Sequence, residues 1–138
     1  MTLEVGVNYL AVLTCGIIAM TVSYFWYSPF LLGKMWLDSM EKNEEEIRKD
    51  SKPLKTYGIS FIGYLVIAYS LARIMIYVNA TTVTEGMRIG FLCWFGFTLT
   101  TMTINALLEG KSLRLVLVDG GYHLIVFLLF GVVLGAWQ

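Results

Sequence analysis

Residues 115–137 read LVLVDGGYHLIVFLLFGVVLGAW, 23 residues in which Asp119 and His123 are the only side chains that titrate below or near neutral pH. As an α-helix this stretch is about 35 Å long, enough to cross the roughly 30 Å of bilayer hydrocarbon. Working outward from it, three more apolar stretches of comparable length lie at about 86–106, 57–78 and 7–27. The 138-residue chain is 57% hydrophobic and only 14% charged, with a mean hydropathy of +0.70, whereas a soluble domain is roughly a quarter charged. A water-soluble fold would have to hide nearly every one of these side chains. Lipid accepts them facing outward and demands only that backbone groups bond within a helix or a closed barrel. The runs are long and do not alternate, which selects helices. The expected fold is therefore an all-α integral membrane protein, a single domain over 1–138 with four transmembrane helices.

The connection between the first two spans, about 28–56, holds the one substantial polar segment. From Asp38 to Lys55 the acids (Asp38, Glu41, Glu44, Glu45, Glu46 and Asp50) mostly precede the bases (Lys42, Arg48, Lys49, Lys52 and Lys55), an order that suits the dipole of a short solvated helix. Just upstream, Ser28-Pro29 can start a helix whose Phe30, Leu31, Met35 and Trp36 give apolar contact while Lys34 reaches water. Trp26, Tyr27 and Trp36 fit the aromatic belt at headgroup level. A short interfacial or cytoplasmic helical segment between helices 1 and 2 is expected. Lys and Arg are concentrated in this connection and, as Lys111 and Arg114, in the third. The positive-inside rule then puts both connections in the cytoplasm and both termini on the non-cytoplasmic side.

Several classes are disfavoured. Formal net charge is zero, so no nucleic-acid partner is expected. Cys15 and Cys93 lie inside apolar runs, where a small apolar residue is the ordinary role. Met1-Thr2-Leu3-Glu4 lacks the positive start of a cleaved signal, so the first helix is expected to be retained. Asn79-Ala80-Thr81 is a glycosylation sequon only by chance, being at the membrane surface in a very short loop. No nucleophile sits beside a base and no glycine loop cradles phosphate, which argues against an enzyme; no cofactor is expected.

Val7-Asn8-Tyr9-Leu10-Ala11-Val12, then Trp26-Tyr27-Ser28-Pro29 and Leu32-Gly33-Lys34-Met35-Trp36, resemble the domain-of-unknown-function 1761 family of small multi-spanning membrane proteins. The resemblance is most specific over residues 7–36, and the Asp119 to Tyr122 region is compatible with it. It implies the multi-span fold and supplies no catalytic residues. Physically, the motif of Trp26, Tyr27, Ser28, Pro29, Gly33, Lys34 and Trp36 reads as a helix leaving the membrane: aromatic belt, restart, bend, snorkelling lysine and second anchor.

An ionisable residue within a span costs about 2.5–3.5 kcal/mol at mid-membrane and is a functional candidate for that reason. Asp119 and His123, at i and i+4, share one helical face, with Gly120 and Gly121 between them. In the third span, Trp94, Thr98, Thr101, Asn105 and Glu109 fall within one narrow helical stripe. A polar cluster of Asp119, His123, Asn105, Thr101 and Glu109 is expected in the cytoplasmic half of the bundle. One account makes it an interhelical hydrogen-bond network in which Asp119 orients His123; another makes it a proton or cation site. A lone His and Asp are too few for a closed metal site, so no metal is expected. Arg73 is expected to snorkel outward, with pairing to Glu85 or Glu4 as the alternative. Gly86-x-x-x-Gly90 and Gly131-x-x-x-Gly135 are faces for close helix approach, within the chain or, for the second pair, against another subunit. The functional expectation is a small ion-, proton- or solute-conducting homo-oligomer in the lipid bilayer. The alternative is a structural or accessory subunit docking a membrane-protein partner.

Overall fold

A computed structural model describes residues 6–27 and 53–137. Among these, regular structure is entirely helical: α1 (Tyr9–Trp26), α2 (Pro53–Tyr77), α3 (Val83–Cys93), a π-helical segment (Trp94–Leu99), α4 (Thr100–Glu109) and α5 (Leu113–Ala136). Four stretches, Tyr9–Trp26, Leu54–Tyr77, Val83–Glu109 and Leu113–Ala136, are long and apolar enough to cross a membrane. The chain is a multi-pass membrane protein with an all-α fold. The expected segment between the first two spans lies outside the described residues.

The solvent-facing residues argue for lipid as strongly as the hydropathy does. Leu10, Ile17, Ile62, Val66, Phe97, Ile104, Leu108 and Leu117 are all exposed on the surface of the bundle, and only a hydrocarbon surround makes such a surface favourable. Hydrophobic exclusion therefore cannot hold the helices together; close packing and interhelical hydrogen bonds must.

Small residues permit that packing. α3 runs along α5, and α1 runs along both α2 and α5, so the spans form an arc in the order second, first, fourth, third. A Cβ on Gly86 would fall on the Gly131 carbonyl oxygen, one on Gly90 would come within 2.5 Å of the Phe127 carbonyl oxygen, and one on Gly135 would strike Thr82. Both glycine pairs are thus used inside the chain, each on the other's helix. On α1, Ala11, Cys15 and Ala19 are fully buried, and a Cβ on Gly16 would meet the Leu65 side chain of α2 at 2.7 Å.

Two tight turns join the later spans by the same device. Asn79, at φ 59°, follows α2; its N–H donates to Ile76 O (3.2 Å) and that of Ala80 to Met75 O (2.8 Å). Gly110, at φ 71°, follows α4, with Gly110 N–H on Leu107 O (3.4 Å) and Lys111 N–H on Ala106 O (2.8 Å). These paired bonds are Schellman caps, which need a left-handed residue. The next helices are capped at once: Thr82 accepts from Glu85 N–H (3.1 Å) while its hydroxyl donates to the Glu85 carboxylate (3.1 Å), and Ser112 accepts from Arg114 N–H (3.0 Å). Asn79 therefore has a conformational role. Asn79→Ala should destabilise the protein by about 1 kcal/mol and Asn79→Gly should be near neutral, read from unfolding by a denaturing detergent; equal effects would remove the cap argument.

Candidate functional site

The end of the bundle near residues 27 and 53 is where polar side chains gather. A cavity of about 490 Å³ opens there between α1, α2, α4 and α5, lined by Ser23, Tyr27, Ser60, Tyr64, Asp119 and His123 among others. Asp119 sits about 9 Å along α5 from its start at Leu113. Its Oδ1 accepts from the Tyr27 hydroxyl at 2.5 Å, a charge-assisted bond between the first and fourth spans. His123 is half-buried one turn further on, and its Nδ1 is buried without a hydrogen-bond partner among the described residues. An orphaned buried nitrogen calls for an explanation such as a bound molecule. The carboxylate thus bonds to tyrosine, and Nδ1 of the imidazole next to it stays unsatisfied.

Aromatic rings enclose the site. Tyr122 is 2% exposed, and its ring lies 5.5 Å from that of Tyr27, 6.2 Å from Tyr64 and 5.0 Å from His123. Its hydroxyl donates to Ala19 O at 2.9 Å. Two tryptophans add similar cross-links: Trp26 Nε1 donates to Val118 O (3.0 Å) and Trp94 Nε1 to Gly120 O (2.9 Å). Each bond uses an acceptor lone pair that a helical carbonyl retains after its own i→i+4 bond. Residues 118–122 of α5 are therefore clasped from both sides, which holds Asp119 in place. Gly121 lets the clasp close, since a Cβ there would touch the Trp26 ring at 3.2 Å.

Not all of the expected cluster converges here. Asn105 and Glu109 are exposed and line a shallower groove with Lys111 on the other side of Asp119; Glu109 pairs with Lys111 at 3.0 Å. Thr101 is exposed and lines neither. The physical reason is the π segment. Its i→i+5 bonding adds a residue to the turn, and one extra residue rotates everything downstream by about 100° relative to a regular helix. Trp94 before it is buried while Thr101, Asn105 and Glu109 after it face out. Thr100 and Thr103 hydroxyls donate to Gly96 O and Leu99 O, each at 2.8 Å, which supports carbonyls in the irregular stretch.

Of the interfacial motif, Trp26 and Tyr27 are seen, and both are turned onto α5; Ser28, Pro29, Gly33, Lys34 and Trp36 lie outside the described residues. Tyr122 and Tyr57 are site residues that sequence reasoning missed. Nothing in the local pattern distinguishes a tyrosine aimed into a cavity from one at the headgroups. At the far end of the bundle Arg73 donates from Nε to the Tyr69 hydroxyl (3.0 Å), with its guanidinium 5.4 Å from that ring, while Glu85 serves the Thr82 cap; Glu4 lies outside the described residues. No group of three or more His, Cys, Asp and Glu that could hold a metal occurs among the described residues.

Neither the curated proteins nor the solved structures include a match to this chain. The family model for proteins of unknown function called DUF1761 does match, over residues 10–135, and so takes in all four spans and the whole of the Asp119 site. The chain belongs to that family, the domain-of-unknown-function 1761 proteins.

Proposed function

We propose that the protein moves a proton, a small cation or a small solute across its membrane, using Asp119 and His123 as the binding site and assembling as an oligomer. One observation carries this reading: within a span, a carboxylate and an imidazole with an unsatisfied Nδ1 line the same cavity of about 490 Å³. Placing two ionisable groups at that depth is costly, and a structural role needs neither a cavity nor an orphaned nitrogen. Asn105 and Glu109 flank the approach to Asp119 from the third span. The oligomer is motivated by what fills the opposite half of the bundle. Cys15, Ala68, Leu71, Met75 and Phe130 are each at most 2% exposed there, so apolar side chains fill that half among the described residues. In this reading the connection of residues 28–56 is cytoplasmic and both termini are on the non-cytoplasmic side, as the distribution of Lys and Arg suggests.

The test is flux into proteoliposomes. Asp119→Asn, which keeps an acceptor for Tyr27, and His123→Ala are each expected to lower the flux at least tenfold while the unfolding midpoint changes little. Wild-type vesicles with no flux of protons, alkali cations or small solutes would overturn the proposal. A second reading, an accessory subunit docking a membrane partner, is favoured by the flank of α2, where Ile59, Ile62 and Val66 are exposed among the described residues. It predicts that a partner co-purifies and is released when residues 38–52 are deleted.

A further inference from the structure

Next to the polar cavity a second, apolar cavity lies along the same helices. On α2, Ser60 and Tyr64 line the polar part, and Ile67, Leu71 and Ile74 line a second cavity of about 200 Å³; spacings of four and three keep all five on one helical face. On α5 the same progression runs from Asp119 and His123 to Phe127, each four residues from the next. On the third span it runs from Met102 to Thr98, Phe97 and Cys93. The two cavities therefore stack along the gap between α2 and the third span, which touch only lightly. From Asp119 to Phe127 the cleft runs about 12 Å along α5. It changes along that length from a carboxylate, an imidazole and hydroxyls to hydrocarbon. Its mouth lies sideways, toward lipid: Tyr57, Val66 and Phe97, all lining residues, are exposed on the outer surface.

The charge and ring content of the polar end select a ligand head. Among the described lining residues, Asp119 is the acid, no Lys or Arg is present, and Tyr27, Tyr57, Tyr64 and Tyr122 supply ring faces. A carboxylate among aromatic faces is the arrangement that recognises an ammonium, by charge and by cation–π attraction. An anionic head would meet the Asp119 carboxylate at close range, with no Lys or Arg among the described residues that line the cavity. We infer that the cleft between α2 and the third span takes an amphiphilic ammonium, which enters sideways from the bilayer, sets its head at Asp119 among the tyrosines, and lays its chain along Ile67, Leu71, Ile74 and Phe127. This rests on the reading of Asp119 and His123 as a binding site and names the class of molecule that site accepts.

The experiment is equilibrium dialysis of the full chain in lipid nanodiscs, corrected with empty discs, against three probes: decyltrimethylammonium, tetramethylammonium and decyl sulfate. Decyltrimethylammonium is expected to bind saturably, at least tenfold more tightly than either other probe. Asp119→Asn should weaken it at least tenfold, and Asp119→Glu should largely retain it, which separates charge from folding. Ser70→Phe, which fills the apolar part from α2, should weaken the decyl probe and leave tetramethylammonium unchanged. Equal binding of decyl sulfate would overturn the charge assignment, and equal binding of tetramethylammonium would overturn the tail cleft. A flux that depends on Asp119 with no saturable binding of decyltrimethylammonium would sink this inference and spare the conduction reading. Binding without any flux would do the reverse.

Discussion

Gly131→Ala is expected to destabilise the protein by about 3 kcal/mol, and Gly131→Leu to prevent the native bundle from forming. A Cβ at Gly131 falls on the carbonyl of Gly86 and within 2.9 Å of the Met87 nitrogen. Those neighbours are backbone, which cannot rotate away as a side-chain tip can, so the helices must separate along their length. Overpacking in a core ordinarily costs about 1–3 kcal/mol; here the upper end applies, because α3 against α5 is the most extensive helix pairing in the bundle. Against a total stability of about 5–15 kcal/mol the larger side chain is not tolerable. Gly63→Ala is the control, since a Cβ there has nothing within 4 Å, and it should be neutral or stabilising by about 0.5–1 kcal/mol through helix propensity. The measurement is helicity against denaturing detergent. No difference between the two alanine variants would show that close approach of α3 and α5 does not hold the bundle.

Tyr122→Ala is expected to cost about 2–4 kcal/mol, and Tyr122→Phe only about 0.6 kcal/mol. Tyr122 is almost wholly buried, and its ring touches those of Tyr27, Tyr64 and His123, so truncation opens a void at the centre of the site. The cost is below that of a comparable change in a soluble core because an unfolded helix in lipid keeps its apolar side chains in hydrocarbon, leaving chiefly the cavity term. Removing the hydroxyl forfeits the bond to Ala19 O and the weaker hydroxyl contacts with Tyr64 and Ser23. That carbonyl keeps its helical partner, so the loss should match the modest average for interhelical bonds. If Tyr122→Phe proved as costly as Tyr122→Ala, the hydrogen bond rather than the ring would be the dominant contribution.

The existence of four helices was legible because it depends on a sum. Replacing any one residue in 115–137 leaves that stretch apolar enough to span, and backbone satisfaction in lipid admits few alternatives to a helix. Asp119 and His123 were legible as candidates for the opposite reason: each is a single costly exception in an apolar run. Thr101, Asn105 and Glu109 were aligned with them only on the assumption of a regular helix, and the π turn at Trp94–Leu99 removed that alignment. A π turn differs from an α turn by one hydrogen bond per residue shifted by one position, a small local difference that leaves no periodic trace in the sequence.

What the sequence determined by itself was the solvent of this protein and the number of its membrane spans, which follow from composition summed over about 20 residues at a time, and the presence of an acid and an imidazole inside the last span, which stand out singly. Only the tertiary structure decided the partners. Asp119 bonds to Tyr27, His123 faces a cavity with a nitrogen unsatisfied, the two glycine pairs meet each other, and α2 stands apart from the third span to leave a cleft. In lipid, hydrophobicity no longer says which helix faces should meet, because every face is already in its preferred solvent. The choice passes to backbone approach at glycines and to a few directional hydrogen bonds, which couple residues far apart in the chain and leave no local periodic trace.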